Sequence, residues 1–205
     1  MTTVKLIIIF FCLSGIASEA HADVFFQPDR TSEISTLIPL ANVGDSRAQI
    51  ELGDIYINGQ GVEANLNEGL KWYLLAANQG NVNAQVRLAN IYFIFYDSHG
   101  LKQNDAEAMK WFRLAAQQGN AEAESRLAQM YVAGLGASVN LVVAYAILDV
   151  RRIRHEIKDE PPMAFEEELN RTIGPGDIRE ALTLSKEMRM PAAYLVSLDK
   201  YLKGR

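Results

Sequence analysis

Three copies of one block of small and apolar residues recur along the chain, and a fixed period of this kind limits the fold more than any other feature. Ala48-x-x-x-Leu52-Gly53-x-x-Tyr56 returns as Ala84-x-x-x-Leu88-Ala89-x-x-Tyr92 and again as Ala123-x-x-x-Leu127-Ala128-x-x-Tyr131, at offsets of 36 and 39 residues. A second register agrees. Lys71-Trp72-Tyr73-x-x-Ala76-Ala77-x-x-Gly80-Asn81 returns 39 residues later as Lys110-Trp111-Phe112-x-x-Ala115-Ala116-x-x-Gly119-Asn120. Gly61, Gly100 and Gly136 align at offsets of 39 and 36, which places three extra residues between Tyr92 and Gly100, within Phe93-Ile94-Phe95-Tyr96-Asp97-Ser98-His99.

Each unit reads as two amphipathic helices, because its apolar residues recur at three- and four-residue spacing and its Ala and Gly residues fall where two backbones would approach closely. The A helix carries Ala, Leu and Tyr; the B helix carries Trp and Ala-Ala. Gly59-x-Gly61-Val62 and Gly134-x-Gly136-Ala137 mark the turn between them, and Gly80-Asn81 and Gly119-Asn120 suit the end of a B helix. One such pair cannot bury its apolar face alone, so the pairs stack into an all-α solenoid, an α-α superhelix with a continuous core.

The ends read as caps. Residues 32–43 resemble a B helix without its A helix, and residues 165–172, 177–189 and 191–202 form three further helical patterns, preceded by a breaker at Lys158-Asp159-Glu160-Pro161-Pro162. The expected organisation is a signal peptide over residues 1–22, an N-terminal capping helix within 23–46, repeats at 47–82, 83–121 and 122–160, and C-terminal capping helices over 161–205. The third repeat diverges in its B helix, where Ala144-Tyr145-Ala146 replaces the Lys-Trp block.

The start of the chain carries Lys5, an apolar run over residues 6–13 and an A-x-A pattern at Ala20-His21-Ala22, the layout of a secretory signal cleaved before Asp23. The run is too short for a membrane span of roughly 20 residues, so no span is expected after cleavage. Cys12, the single cysteine, leaves with the signal, and a periplasmic or secreted chain without disulfide or thiolate chemistry is expected. Net charge is −5 with scattered Lys and Arg, which lacks the basic footprint of a nucleic-acid binder.

No catalytic constellation is legible, and no cofactor is expected. His99 and His155 are 56 residues apart with no cysteine to join them in a zinc site, so both read as solvated surface histidines. Glu166-Glu167-Glu168 points three ways around a helix and reads as a solvated helix start. The paired turn glycines follow helices and lack the Gly-Lys-Ser of a phosphate loop, and Ser197-x-x-Lys200 lacks the partner motifs of penicillin-recognising enzymes. Trp72 and Trp111, at matched repeat positions beside Ala-Ala, read as core.

Taken together, Leu52-Gly53-x-x-Tyr56-x-x-Gly59-x-Gly61-Val62 and Gly69-Leu70-Lys71-Trp72-Tyr73-x-x-Ala76-Ala77-x-x-Gly80-Asn81 resemble the Sel-one-like repeat family, relatives of the tetratricopeptide repeat, over about residues 40–148. The resemblance implies a non-enzymatic scaffold for protein interaction whose A helices line a concave face. Aligning the three A helices on that frame places Arg47, Ile50, Asp54 and Ile57 of unit one there, with Asn83, Val86, Asn90 and Phe93 of unit two and Glu122, Ser125, Gln129 and Val132 of unit three. Their mixture of amides, charges and apolar groups suits a partner protein or peptide. The aromatic run at Phe93-Ile94-Phe95-Tyr96 reads either as an exposed anchor at the rim of that face or as a turn packed on its own unit. Cysteine-rich relatives are linked to β-lactam binding, which makes a β-lactam-binding or hydrolysing envelope protein the alternative reading, although the paired cysteines of those relatives are missing here.

Overall fold

The computed structural model describes residues 30–94, 104–157 and 161–204. The described residues form ten helices and no strand: α1 Thr31–Asn42, α2 Ser46–Asn58, α3 Leu66–Asn78, α4 Val82–Ile94, α5 Asp105–Gln117, α6 Ala121–Ala133, α7 Leu141–Arg154, α8 Ala164–Thr172, α9 Pro175–Met188 and α10 Pro191–Lys203. The A and B helices of the three units are α2 and α3, α4 and α5, and α6 and α7. The signal segment, Cys12, Phe95, Tyr96 and His99 lie outside the described residues. No described helix is long and apolar enough to cross a membrane.

Side-chain caps set the helix starts. Asn65, Asn104 and Asn140 open the three B helices, their side-chain oxygens accepting from the backbone N–H of Glu68, Glu107 and Val143 at 3.0–3.1 Å. The backbone N–H of each of these asparagines donates to the carbonyl of the repeat tyrosine, Tyr56, Tyr92 or Tyr131, at 2.7, 3.1 and 2.9 Å. The second connection is three residues longer than the others, yet it closes on the same bond. Asn81 and Asn120 belong to the helices that follow them: their side chains accept from Ala84 and Ala123, so the Gly-Asn pair ends one helix and starts the next. Gly59 and Gly134 sit at φ 68° and 70°, the left-handed conformation that lets each A helix end in a sharp turn.

The framework leucines Leu52, Leu88 and Leu127 are buried, as are Tyr73, Phe112 and Tyr131. Close approach of α2 and α3 depends on absent side chains: a Cβ on Gly53 would lie 2.4 Å from the Tyr73 ring, and one on Gly69 would lie 2.4 Å from Ile57. The first cluster joins Ile34, Leu37 and Ala41 of α1 to Ala48, Leu52 and Ile55 of α2, and a larger one runs from Ala76 to Leu198. Trp111 belongs to the larger cluster and is buried, whereas Trp72 is half-buried against the first, so the two matched tryptophans are not equivalent.

The C-terminal helices do more than cover one end. α9 packs on α7, α8 lies against α6, and α10 folds back to reach α5 in the middle of the array, where Arg113 pairs with Asp199. Glu166 departs from its expected role as a solvated helix-start residue. It is buried and accepts a hydrogen bond from Arg152 at 3.0 Å, while only Glu167 and Glu168 remain exposed beside Arg171. The helix period accounts for this, since consecutive residues face about 100° apart and one of three must turn inward.

Candidate interaction face and the joints behind it

The residues expected on the A-helix face divide into three groups. Arg47, Asn83 and Glu122 are exposed. Asp54, Asn90 and Gln129 are half-buried and joined to neighbours, with Asp54 accepting from Arg87 at 2.6 Å, Asn90 Nδ2 donating to Glu122 at 3.0 Å, and Gln129 accepting from Arg126 at 3.4 Å. The first two of these bonds cross from one unit to the next, so part of the polar row is a seam between units as well as a surface. The remaining members are packing residues. Val86 is 7% exposed and lies in the core, where no partner can reach it, and Ser125 is buried with its hydroxyl turned to the Ala121 carbonyl. Ile57 lies over Gly69 of its own B helix, and Ile50, Phe93 and Val132 are half-buried against the main core. Periodicity identifies a helix face to within about one position in 3.6, which is too coarse to separate the face from its buried edge.

Phe93 settles part of the question about the aromatic run. Its ring meets Phe112 edge-on at 6.4 Å, and the Arg126 guanidinium stands 5.9 Å from its centroid. It therefore packs on its own unit at the base of the face.

Behind the face, the units are joined by a buried polar device that the sequence reading missed. Gln49 donates from Nε2 to the Ala41 carbonyl at the end of the preceding helix, and Gln85 does the same to Ala77. Each amide oxygen then accepts from a glutamine at the end of its own unit's B helix, Gln79 to Gln49 at 2.7 Å and Gln118 to Gln85 at 3.0 Å. At the third joint the pattern changes. Glu124 stands where Gln49 and Gln85 stand, and a carboxylate cannot donate to the Ala116 carbonyl. Arg154, in the place of Gln118, makes that bond at 3.1 Å and also pairs with Glu124. His155 Nε2 lies 3.2 Å from the other carboxylate oxygen, so this histidine, although near solvent, has a buried partner. Burial pushes the Glu124 carboxyl up to about 7, against the opposing pull of Arg154 and Arg151. Burial, and then the same two arginines, hold the His155 imidazole below its ordinary value. The signal was available in the repeat alignment, where Ala-Gln, Ala-Gln and Ala-Glu follow one another.

The described residues contain no group of histidines, cysteines and carboxylates arranged to hold a metal ion. A cleft of about 400 Å³ opens where α6 meets the start of α8, between Arg126 and Gln129 on one side and Met163 and Phe165 on the other.

Comparison with known proteins agrees with this architecture. The family model described as Sel1 repeat matches residues 46–81, 82–120 and 121–148. The crystal structure of a Sel1 repeat protein from Oxalobacter formigenes is similar at 32% identity and a TM-score of 0.53, over 60% of this chain and 49% of that one. A protective antigen present in uropathogenic Escherichia coli strains and displaying an SLR fold is similar at 20% identity and a TM-score of 0.38, over 83% of this chain and 52% of that one. The chain thus spans about half the length of each of these two solved proteins. No curated protein matches the chain significantly.

Proposed function

Because the chain belongs to the Sel1 repeat family, we propose that it is an exported, non-catalytic scaffold that holds another protein or peptide on the face of its A helices. Members of the family are commonly protein-interaction scaffolds. The observation that carries the reading is the contrast between a constant framework and a variable face. Leu52, Leu88 and Leu127 repeat, whereas the equivalent face positions read Arg47, Asn83 and Glu122, or Asp54, Asn90 and Gln129. The exposed Arg47, Asn83 and Glu122 on successive helices suit hydrogen bonding to a peptide. Export is supported by the charged start, short apolar run and A-x-A pattern of residues 1–22.

Capture from envelope extract tests the binding reading, comparing the unaltered chain with Arg47→Glu/Asn83→Ala and with Lys71→Glu/Leu74→Ala on the outer side of α3. The face substitutions are expected to abolish capture of the partner while the α3 pair leaves it intact, and the reverse pattern overturns the assignment of the face. Mass spectrometry of the exported protein is expected to find Asp23 as its first residue; retention of residues 1–22, or a lipid on Cys12, overturns the localisation.

A further inference from the structure

The seam between the first two units is electrically closed, and the equivalent place in the next seam is open. In the first, Arg87 donates to Asp54 at 2.6 Å and stands 5.9 Å from the centroid of the Tyr73 ring, while the Tyr73 hydroxyl donates to the same carboxylate. One repeat later the arginine is kept as Arg126, but Asp54 has become Asn90 and Tyr73 has become Phe112. The carboxylate and the phenol that served it are lost together. Arg126 lies against the Phe93 ring and reaches Gln129 at 3.4 Å, and among the described residues no carboxylate forms an ion pair with it. Glu122, one helical turn before it, accepts from Asn90 instead. A guanidinium presents donors in a fork that matches a carboxylate, and among the described residues this fork lacks its match.

This guanidinium lines the cleft between α6 and the start of α8, which Glu122, held by Asn90, and Arg151 also line. Ala121 and Ser125 leave room on the α6 side, where units one and two carry Ser46 and Ile50 and Val82 and Val86, and the Ser125 hydroxyl is turned back to the Ala121 carbonyl at 3.0 Å. Met163 and Phe165 supply an apolar opposite wall. We propose that this cleft receives a carboxylate of a partner peptide, paired with Arg126 as Asp54 is paired with Arg87 one unit earlier, with an adjacent apolar side chain resting on Met163 and Phe165. The inference rests on the A-helix face being the binding face and names the chemistry it selects.

The test is a peptide array probed with the full chain. Each peptide has an alanine and glycine background with one leucine, the residue beside it is Asp, Glu, Asn, Gln or Lys, and the C-terminus is free or amidated. The acidic peptides are expected to bind about tenfold more tightly than their amides, the scale of one charge-assisted hydrogen bond. If the preference follows Asp and Glu, the ligand is a side chain; if it follows the free C-terminus, it is a terminal carboxylate. Arg126→Gln is expected to erase the preference at an unchanged melting temperature, and Arg126→Glu to transfer it to peptides carrying Lys at that position. Absence of binding to any acidic peptide, equal binding of acids and amides, or a preference that survives Arg126→Gln overturns the proposal. Binding that ignores Arg126 but is lost in Arg47→Glu/Asn83→Ala leaves the face reading standing and removes only the carboxylate site; binding that ignores both sets removes both.

Discussion

Glutamine at position 124 restores the side chain found at positions 49 and 85 and removes a titrating group from the third joint. Glu124 is fully buried, and its carboxyl titrates at about 7 instead of 4.5, so the folded chain holds a proton that the unfolded chain releases earlier. The stability this group contributes is therefore complete below 4.5 and is lost as pH rises toward 7. At about 1.4 kcal/mol per pH unit across that window, the loss amounts to about 3 kcal/mol. Glu124→Gln carries no such dependence. The unaltered chain should thus lose stability relative to the variant as pH rises from 4.5 to 7.5, by roughly 10 °C in relative melting temperature for a domain of this size. His155 works in the opposite sense: its folded value lies below the ordinary one, so its contribution is present at high pH and lost on acidification. Both chains are therefore best compared with His155→Gln in place, by calorimetry at several pH values. A pH-independent difference would refute the account. A difference of opposite slope would show that the pairing with Arg154 outweighs burial and keeps the carboxylate ionised.

The tryptophans provide a contrast within one motif: Trp111→Ala should cost about 3–5 kcal/mol, and Trp72→Ala about half as much because its ring is only half-buried, as read by chemical denaturation. Gly53→Ala should cost about 1–3 kcal/mol, since its new methyl meets the Tyr73 ring, and pairing it with Tyr73→Leu should recover part of the loss.

The repeat unit was legible because its determinants are local: small residues where helices meet, glycines where the chain turns, and apolar residues at helical spacing. Each of the capping helices α1, α8, α9 and α10 was also visible as a pattern of its own. What the pattern did not contain was their destination. The return of α10 to α5 depends on contacts such as Arg113 with Asp199, 86 positions apart, and no periodicity encodes such a pairing. The candidate face was legible as a set of positions, but its depth was not. Val86 and Asn83 differ by three residues on one helix, and only the neighbouring helices decide that the first is core and the second is free. Glu124 was legible in principle, as the one acid in a column of glutamines, and was passed over because buried charge is judged by its partners, which come from other elements.

The bond from each B-helix asparagine to the repeat tyrosine carbonyl separates the length of a connection from the register of the stack. Nine positions separate Tyr56 from Asn65 and Tyr131 from Asn140, and twelve separate Tyr92 from Asn104. Closing the longer loop costs only about 0.3 kcal/mol more in chain entropy, because that cost grows with the logarithm of length. Insertions at this one place are consequently almost neutral to folding, while an insertion of the same size inside any helix would rotate every following core residue off its face. Length can therefore vary at these connections without any change to the core, and the second connection of this chain, longer by three residues, closes on the same bond as its neighbours.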